Sequence, residues 1–317
     1  MRSRFMILLA IAFVGGVTGA QAPASSNTAS TPGRTEIRLT YLGNAGWEIT
    51  DGKTYVLTDP FITQFRSNRE AKPGQVEPPP MPSLEETFTP DTEGIDAKIH
   101  RADYILITHG HPDHALDAPY IAKKTGATII GRETVANIAR AYDVLEMQLI
   151  TVRGGEDYDF GGFSLKVIPS IHSALDHKHY FNSPMAGDAP RGLKAPLKFG
   201  NFVEGGSVAY LLRLAGHQVL IMGSMNYIER EMEGLRPDIA LVGANSQRRE
   251  IYDYAGRLMR ALGNPPLVMP THWDAYGWAP AQERARAEAK QFAEEVKSAS
   301  PNTRVIIPKH FEPITVP

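Results

Sequence analysis

"ITHGHPDHALD", residues 107–117, follows directly on the apolar run "YILI", residues 104–107. It crowds His109, His111, Asp113 and His114 into six residues, in a loop tightened by Gly110 and Pro112. Imidazoles and a carboxylate at the end of a buried strand are poor core material, because a buried polar or charged group needs a partner. Side chains two apart can project to the same side of an extended segment. His109 and His111 can therefore share one metal ion, while Asp113 and His114, offset from them, can serve a second ion close by. Histidine and carboxylate donors suit zinc, and also iron or manganese. The chain has no cysteine, so disulfides, thiolate ligands and a cysteine nucleophile are excluded.

Further ligands must come from elsewhere. Two of the ten histidines share the layout of His109, an apolar strand delivering imidazole at its end. His172 closes "LKVIPSIH" and His272 closes "PLVMPTH". His177 and His179, just past His172, read as solvated or substrate-facing. His100, His217 and His310 have no supporting context.

The chain has 317 residues, 42% hydrophobic and 21% charged, with a net charge of −2. That is room for one large domain or two small ones, and it carries no basic footprint for nucleic acid. Residues 1–22 read as a signal peptide, with Arg2 and Arg4 before a short apolar segment and "AQA" as the cleavage signature. A cleaved leader implies a periplasmic or secreted protein with no stable membrane span. Residues 23–35 read as a polar, disordered linker. From residue 36 to 317 the pattern is that of a folded domain. "EIRLTYLG", "GWEIT" and "TYVLTDP" suggest a β-meander. Residues 62–97, with "KPGQVEPPPMP", read as a long irregular segment. Strands and helices then alternate: "DYILITH", the helix "DAPYIAKKTG", "ATII", and the helix "RETVANIARAYD". "FSLKVIPSIH", "SVAYLLRLAG" and "HQVLIMG" read as consecutive strands, the last two joined by a Gly216-His217 turn. The helix "PAQERARAEAKQFAEEVKSA" follows, and "TRVIIP" reads as the closing strand. Two sheet-rich halves, each followed by helices, fit two sheets sandwiched between helices.

"THGHPDH" matches the H-x-H-x-D-H signature of the metallo-β-lactamase fold superfamily, and the order of the later elements is similar as well. "YLGNAGWEI", "LTDPF" and "MPTHWD" most resemble the branch containing ascorbate-6-phosphate lactonase and N-acylphosphatidylethanolamine-hydrolysing phospholipase D. The resemblance implies an α/β fold, a four-layer αββα sandwich, with a binuclear zinc site at one edge. It implies His109, His111 and His172 on metal one, and Asp113, His114 and His272 on metal two. Asp59 would buttress the ligand loop. The pattern departs from the family twice. Ser224 stands after "VLIMG" where a bridging aspartate is usual, with Asp176 or Asn226 as compensating groups. Asn44 stands where this branch often has histidine.

The implied activity is hydrolysis of an ester, lactone, amide or phosphodiester by metal-activated water, with Asp113 orienting the nucleophile. The alternatives are a β-lactamase of the serine-substituted subclass, and a metal-binding protein without catalysis. "SIHSAL" lacks the β-lactamase context around His172. The substrate is expected to be a small molecule or lipid-like. Residues 62–97 and 173–205 are expected to frame the site. Tyr180, Phe181, Lys194, Lys198 and Phe202 in the second segment suggest an amphipathic anion.

Overall fold

The computed structural model describes residues 33–66, 74–75, 81–174, 184–276 and 278–317. The leader, most of the linker, Asp176, His177, His179, Tyr180 and Phe181 lie outside them. Strands β1 (Ile37–Gly43), β2 (Gly46–Thr50) and β3 (Tyr55–Thr58) pair antiparallel, as the meander pattern predicts. Helix α1 (Thr92–Lys98) then precedes β4 (Tyr104–Leu106), which runs parallel to β3. The short α2 (Pro112–Ala115), α3 (Ala118–Thr125), β5 (Thr128–Gly131), α4 (Glu133–Ala141) and β6 (Leu149–Thr151) extend this parallel half.

Strands β7 (Asp157–Asp159), β8 (Phe163–Pro169), β9 (Val208–Leu214) and β10 (His217–Ile221) open a second, antiparallel meander. After α5 (Glu229–Met232) come β11 (Ile239–Gly243), α6 (Tyr254–Leu262), β12 (Leu267–Thr271), α7 (Gln282–Ala299) and β13 (Arg304–Val305). Their strands add in parallel to β10. The last strand, β14 (Pro313–Val316), returns to the first sheet and pairs antiparallel with β1. Among the described residues the result is two seven-stranded sheets. Helices α3 and α4 lie against β5, and α7 lies against β12 and β13. This is the αββα order.

Alternation along the strands sends side chains to opposite faces. Val56, Leu106 and Ile130 face the second sheet and join Val167, Tyr210 and Val219 in one core. Leu57, Ile105 and Ile129, one residue away, join Ile121, Val135 and Ile138 of the helices in another. Both faces are buried, so these strands read as continuous apolar runs. Each such side chain contributes about 1.5–3 kcal/mol by leaving water. Polar links tie the sheets at one end: Tyr210 OH donates to Ile107 O at 2.8 Å, and Val208 N to Thr108 O at 2.9 Å.

Four expectations change. Residues 62–97 are not wholly irregular, because Asp91 caps α1 by accepting from Gly94 N at 3.0 Å. The β9–β10 turn is Ala215-Gly216, both at positive φ (54° and 82°), and His217 is already in β10. That is the twist a two-residue hairpin favours. "TRVIIP" supplies only the two-residue β13, and the chain closes with β14. The linker's last residues are engaged: Thr35 N donates to Ala215 O at 3.0 Å, and Arg34 pairs with Asp238.

Candidate metal centre

Five strands end at one place. Asp59 follows β3, Thr108 and His109 follow β4, His172 lies just past β8, Gly223 and Ser224 follow β10, and His272 follows β12. The strands place these residues, and the backbone between them is bonded in turn. Gly110 N donates to Glu204 O at 2.8 Å, and a Cβ on Gly110 would meet Val203 O and Thr134 Cγ2. His272 N donates to Asn44 O at 2.6 Å, and Trp47 Nε1 to Thr271 Oγ1 at 3.1 Å. The turn between β1 and β2 thereby grips the end of β12 across the seam of the two sheets.

Two groups of donor atoms converge. In each of His109/His111/His172 and Asp113/His114/His272, one atom per residue lies within 4.8 Å of the others. The rings of His109, His111 and His172 form a nearly equilateral triangle, with centroids 4.8, 4.7 and 4.7 Å apart and planes crossed at 76–79°. His109 and His114 are adjacent, their centroids 3.9 Å apart.

Hydrogen bonds assign the tautomers. Thr108 Oγ1 donates its one proton to Asp59 Oδ2 at 2.6 Å, so at 3.2 Å it accepts from His109 Nδ1. The lone pair of His109 is then on Nε2, which is buried without a hydrogen-bond partner. His172 Nδ1 donates to Ser173 O at 3.0 Å, which also makes Nε2 its acceptor atom. His111 is turned the other way, with Nε2 3.3 Å from Met185 O and Nδ1 left as acceptor. Burial first, then the neighbouring imidazoles, hold His109 well below its usual pKa and His172 at about 3. Burial also lowers His111. Three neutral imidazoles crowded lone pair to lone pair suit a cation.

The second group is held by carboxylates. Asp59 is fully buried, accepting from Thr108 N at 2.7 Å and Thr108 Oγ1, with His114 Nδ1 3.0 Å from its Oδ2. That leaves His114 Nε2 facing Asp113 Oδ2 at 3.5 Å, with His272 Nε2 at 3.3 Å from the same oxygen. Burial opposes charge on His114, yet Asp113 and Asp59 raise its pKa. Burial likewise opposes charge on Asp113, but His114 and His272 hold its carboxyl far below the usual range. A Cβ at Gly223 would strike Thr108 Oγ1 and Asp59 Oδ2, so only glycine fits beneath this pair.

Ser224 stands where a bridging aspartate is usual, and it brings no carboxylate to the site. Its Oγ accepts from Ser173 N at 2.8 Å and so braces the loop carrying His172. Asn226 bonds its own chain, Oδ1 accepting from Tyr227 N at 2.9 Å. Asn44 has a definite place. It sits at φ 52°, and its Nδ2 donates to Asp113 O at 2.7 Å and lies 3.3 Å from Asp113 Oδ2. Its backbone N donates to Asp274 Oδ2 at 3.0 Å, and His310 Nε2 lies 2.7 Å from the same oxygen. His310, without context in the sequence, is thus joined to the site through Asp274. Neither Asp274 nor His310 carries a local signal, beyond the position of Asp274 two residues past His272.

The donor atoms open into a cavity of about 170 Å³. Phe65 and Met81 from the first irregular segment and Met185 and Phe199 from the second line it, as expected for segments that frame the site. Ser173, Gln247 and Tyr276 complete the wall. Among the described lining residues there is no lysine or arginine. Lys198 pairs with Glu85 at 2.6 Å on the surface, and Phe202 is fully buried in the core. The described residues therefore do not supply the basic groups expected for an anionic substrate.

Residues 38–272 match the family model described as beta-lactamase superfamily domain. The UPF0173 metal-dependent hydrolase TV0864 of Thermoplasma volcanium is 25% identical over 283 residues, spanning 88% of this chain and 99% of that protein. Among solved structures, Igni18, a metallo hydrolase from the archaeon Ignicoccus hospitalis, matches with a TM-score of 0.58 and 20% identity, over 89% of this chain and 99% of the other. CmlA, a diiron β-hydroxylase from Streptomyces venezuelae, matches with a TM-score of 0.54 and 15% identity, over 88% of this chain and 54% of that one. Both structural likenesses concern the fold alone.

Proposed function

The chain belongs to the beta-lactamase superfamily and is a metal-dependent hydrolase; from that premise we propose that it holds two zinc ions and cleaves uncharged carboxylic esters or lactones. The observation that carries the proposal is the pair of three-donor groups, each within 4.8 Å, side by side at the strand ends. His109 Nε2, His111 Nδ1 and His172 Nε2 would hold metal one. Asp113, His114 and His272 would hold metal two, without a bridging carboxylate because residue 224 is serine. Five imidazoles and one carboxylate favour zinc over the carboxylate-rich sets of di-iron proteins.

When bound, the metal pair supplies an activated water and polarises the substrate oxygen. The protein's own groups do the rest. Asp113, itself positioned by Asn44, would orient the attacking water as a hydrogen-bond acceptor. Asp59 and Thr108 fix the ring orientations of His114 and His109. Phe65, Met81, Met185, Phe199 and Tyr276 exclude water around an apolar acyl group.

A panel of a p-nitrophenyl ester, a γ-lactone, a phosphodiester and a cephalosporin tests the class. Turnover of ester or lactone, abolished by chelation and restored by zinc, is expected. The phosphodiester and the cephalosporin carry anionic groups that, beyond the ions themselves, no described lysine or arginine of the lining receives, and slow turnover of both is expected. Turnover fastest on the phosphodiester would overturn the substrate reading.

Acid is expected to empty the two groups in order. A metal at His114 must displace a proton held above its usual pKa, so affinity there falls about tenfold per pH unit below that value. His109 and His172 hold no proton until much lower pH, so metal one is retained. Chelator competition between pH 8 and pH 5.5 would detect this, and simultaneous loss of both ions would count against the assignment. The proposal includes export through the leader at residues 1–22, supported by its charged start and apolar run. Among the described residues no helix is long and apolar enough to cross a membrane.

A further inference from the structure

A second, larger cavity of about 470 Å³ adjoins the Asp274–His310 pair. Trp273, Arg286, His310, Gln282 and Glu283 line it, with Phe311 as an apolar wall. Arg286 lies over the Trp273 ring at 5.9 Å, and among the described residues its guanidinium has no carboxylate partner. Trp273 is only 3% exposed, and its Nε1 is buried without a hydrogen-bond partner. The first turn of the 18-residue α7 also opens here, and Ala281 at its start gives no side-chain cap. The positive end of the helix dipole adds to the field of Arg286.

We propose that this cavity is a binding site for a small organic monocarboxylate. The guanidinium fork matches the two oxygens of a carboxylate, and the Trp273 and Phe311 rings accept its hydrocarbon part. Glu283 is the one acidic group in the lining, and its repulsion disfavours a phosphate dianion. The site is continuous with the metal centre through hydrogen bonds: His310 to Asp274, Asn44 N to Asp274, and Asn44 Nδ2 to Asp113 O. It uses none of the six proposed metal donors.

Calorimetric titration of benzoate and of inorganic phosphate into the full chain, freed of metal so that no carboxylate can bind there, tests the proposal. One benzoate per chain is expected, with phosphate binding more weakly at pH 7. Arg286→Met is expected to weaken benzoate at least about tenfold, with an unchanged near-ultraviolet spectrum establishing that it folds. Glu283→Gln is expected to raise phosphate affinity, a gain that misfolding cannot imitate. Absence of benzoate binding at millimolar concentration, or equal binding by Arg286→Met, overturns the site. Phosphate binding as tight as benzoate overturns the monocarboxylate class.

Discussion

Asp113→Asn is expected to leave one metal ion per chain in place of two, and to lower kcat/KM on the best ester or lactone by roughly 10³-fold. Asp113 Oδ2 is the shared oxygen of the second donor group, 3.5 Å from His114 Nε2 and 3.3 Å from His272 Nε2. Asparagine keeps the shape. It removes the negative charge that attracts the ion and replaces an acceptor oxygen that would orient the water with a donor. The first donor group contains no atom of Asp113, so metal one is expected to stay. Asn44 still donates to the backbone oxygen of residue 113, so the loop is expected to keep its position. A parallel measurement of metal content and of rate separates loss of the ion from loss of the orienting carboxylate. Zinc added in excess is expected to restore occupancy only in part, and the rate less than the occupancy.

Asp59→Ala is expected to have the largest effect on stability among single changes at the site. The carboxylate is fully buried and is met by Thr108 N, Thr108 Oγ1 and His114 Nδ1. Alanine would leave a backbone N–H and an imidazole N–H unpaired in a buried place. Breaking a buried charged network in this way costs roughly 3–5 kcal/mol. His114 Nδ1 would also lose the carboxylate 3.0 Å away, and affinity for metal two is expected to fall about 10–100-fold. Asp59→Asn keeps one acceptor oxygen, and the Thr108 hydroxyl can reverse to accept from the amide. A smaller loss of stability is therefore expected for it. Denaturant unfolding of the metal-free chains compares the two without any contribution from bound ions. Equal stability of Asp59→Ala and the parent chain would show that Asp59 does not brace the loop.

The site divides into parts that were legible in the chain and parts that were not. His109, His111, Asp113 and His114 are neighbours in sequence, and an apolar strand announces where they sit. His172 and His272 were legible for the same reason, each at the end of its own apolar run. Asn44, Asp274 and His310 could not be assembled by such reading. They come from the first turn, the segment after β12 and the C-terminal tail, and only the closing of β14 onto β1 brings His310 to Asp274. The orientation of Ser224 was equally hidden, because its partner Ser173 is 51 residues away. The fold followed the same rule. Strands buried on both faces are long apolar runs and were read correctly, whereas α1 and the short β6, β7 and β14 have too few apolar residues to show a period. The expectation of basic groups at the mouth was a composition argument. Composition does not say that Phe202 turns into the core or that Lys198 reaches Glu85.

The claim that two separate three-donor groups hold two ions is tested most directly by elemental analysis of the purified chain beside Asp113→Asn, both prepared without chelator. The account predicts two zinc equivalents per parent chain and one per variant chain. One ion in the parent, or the same number in both, would contradict it.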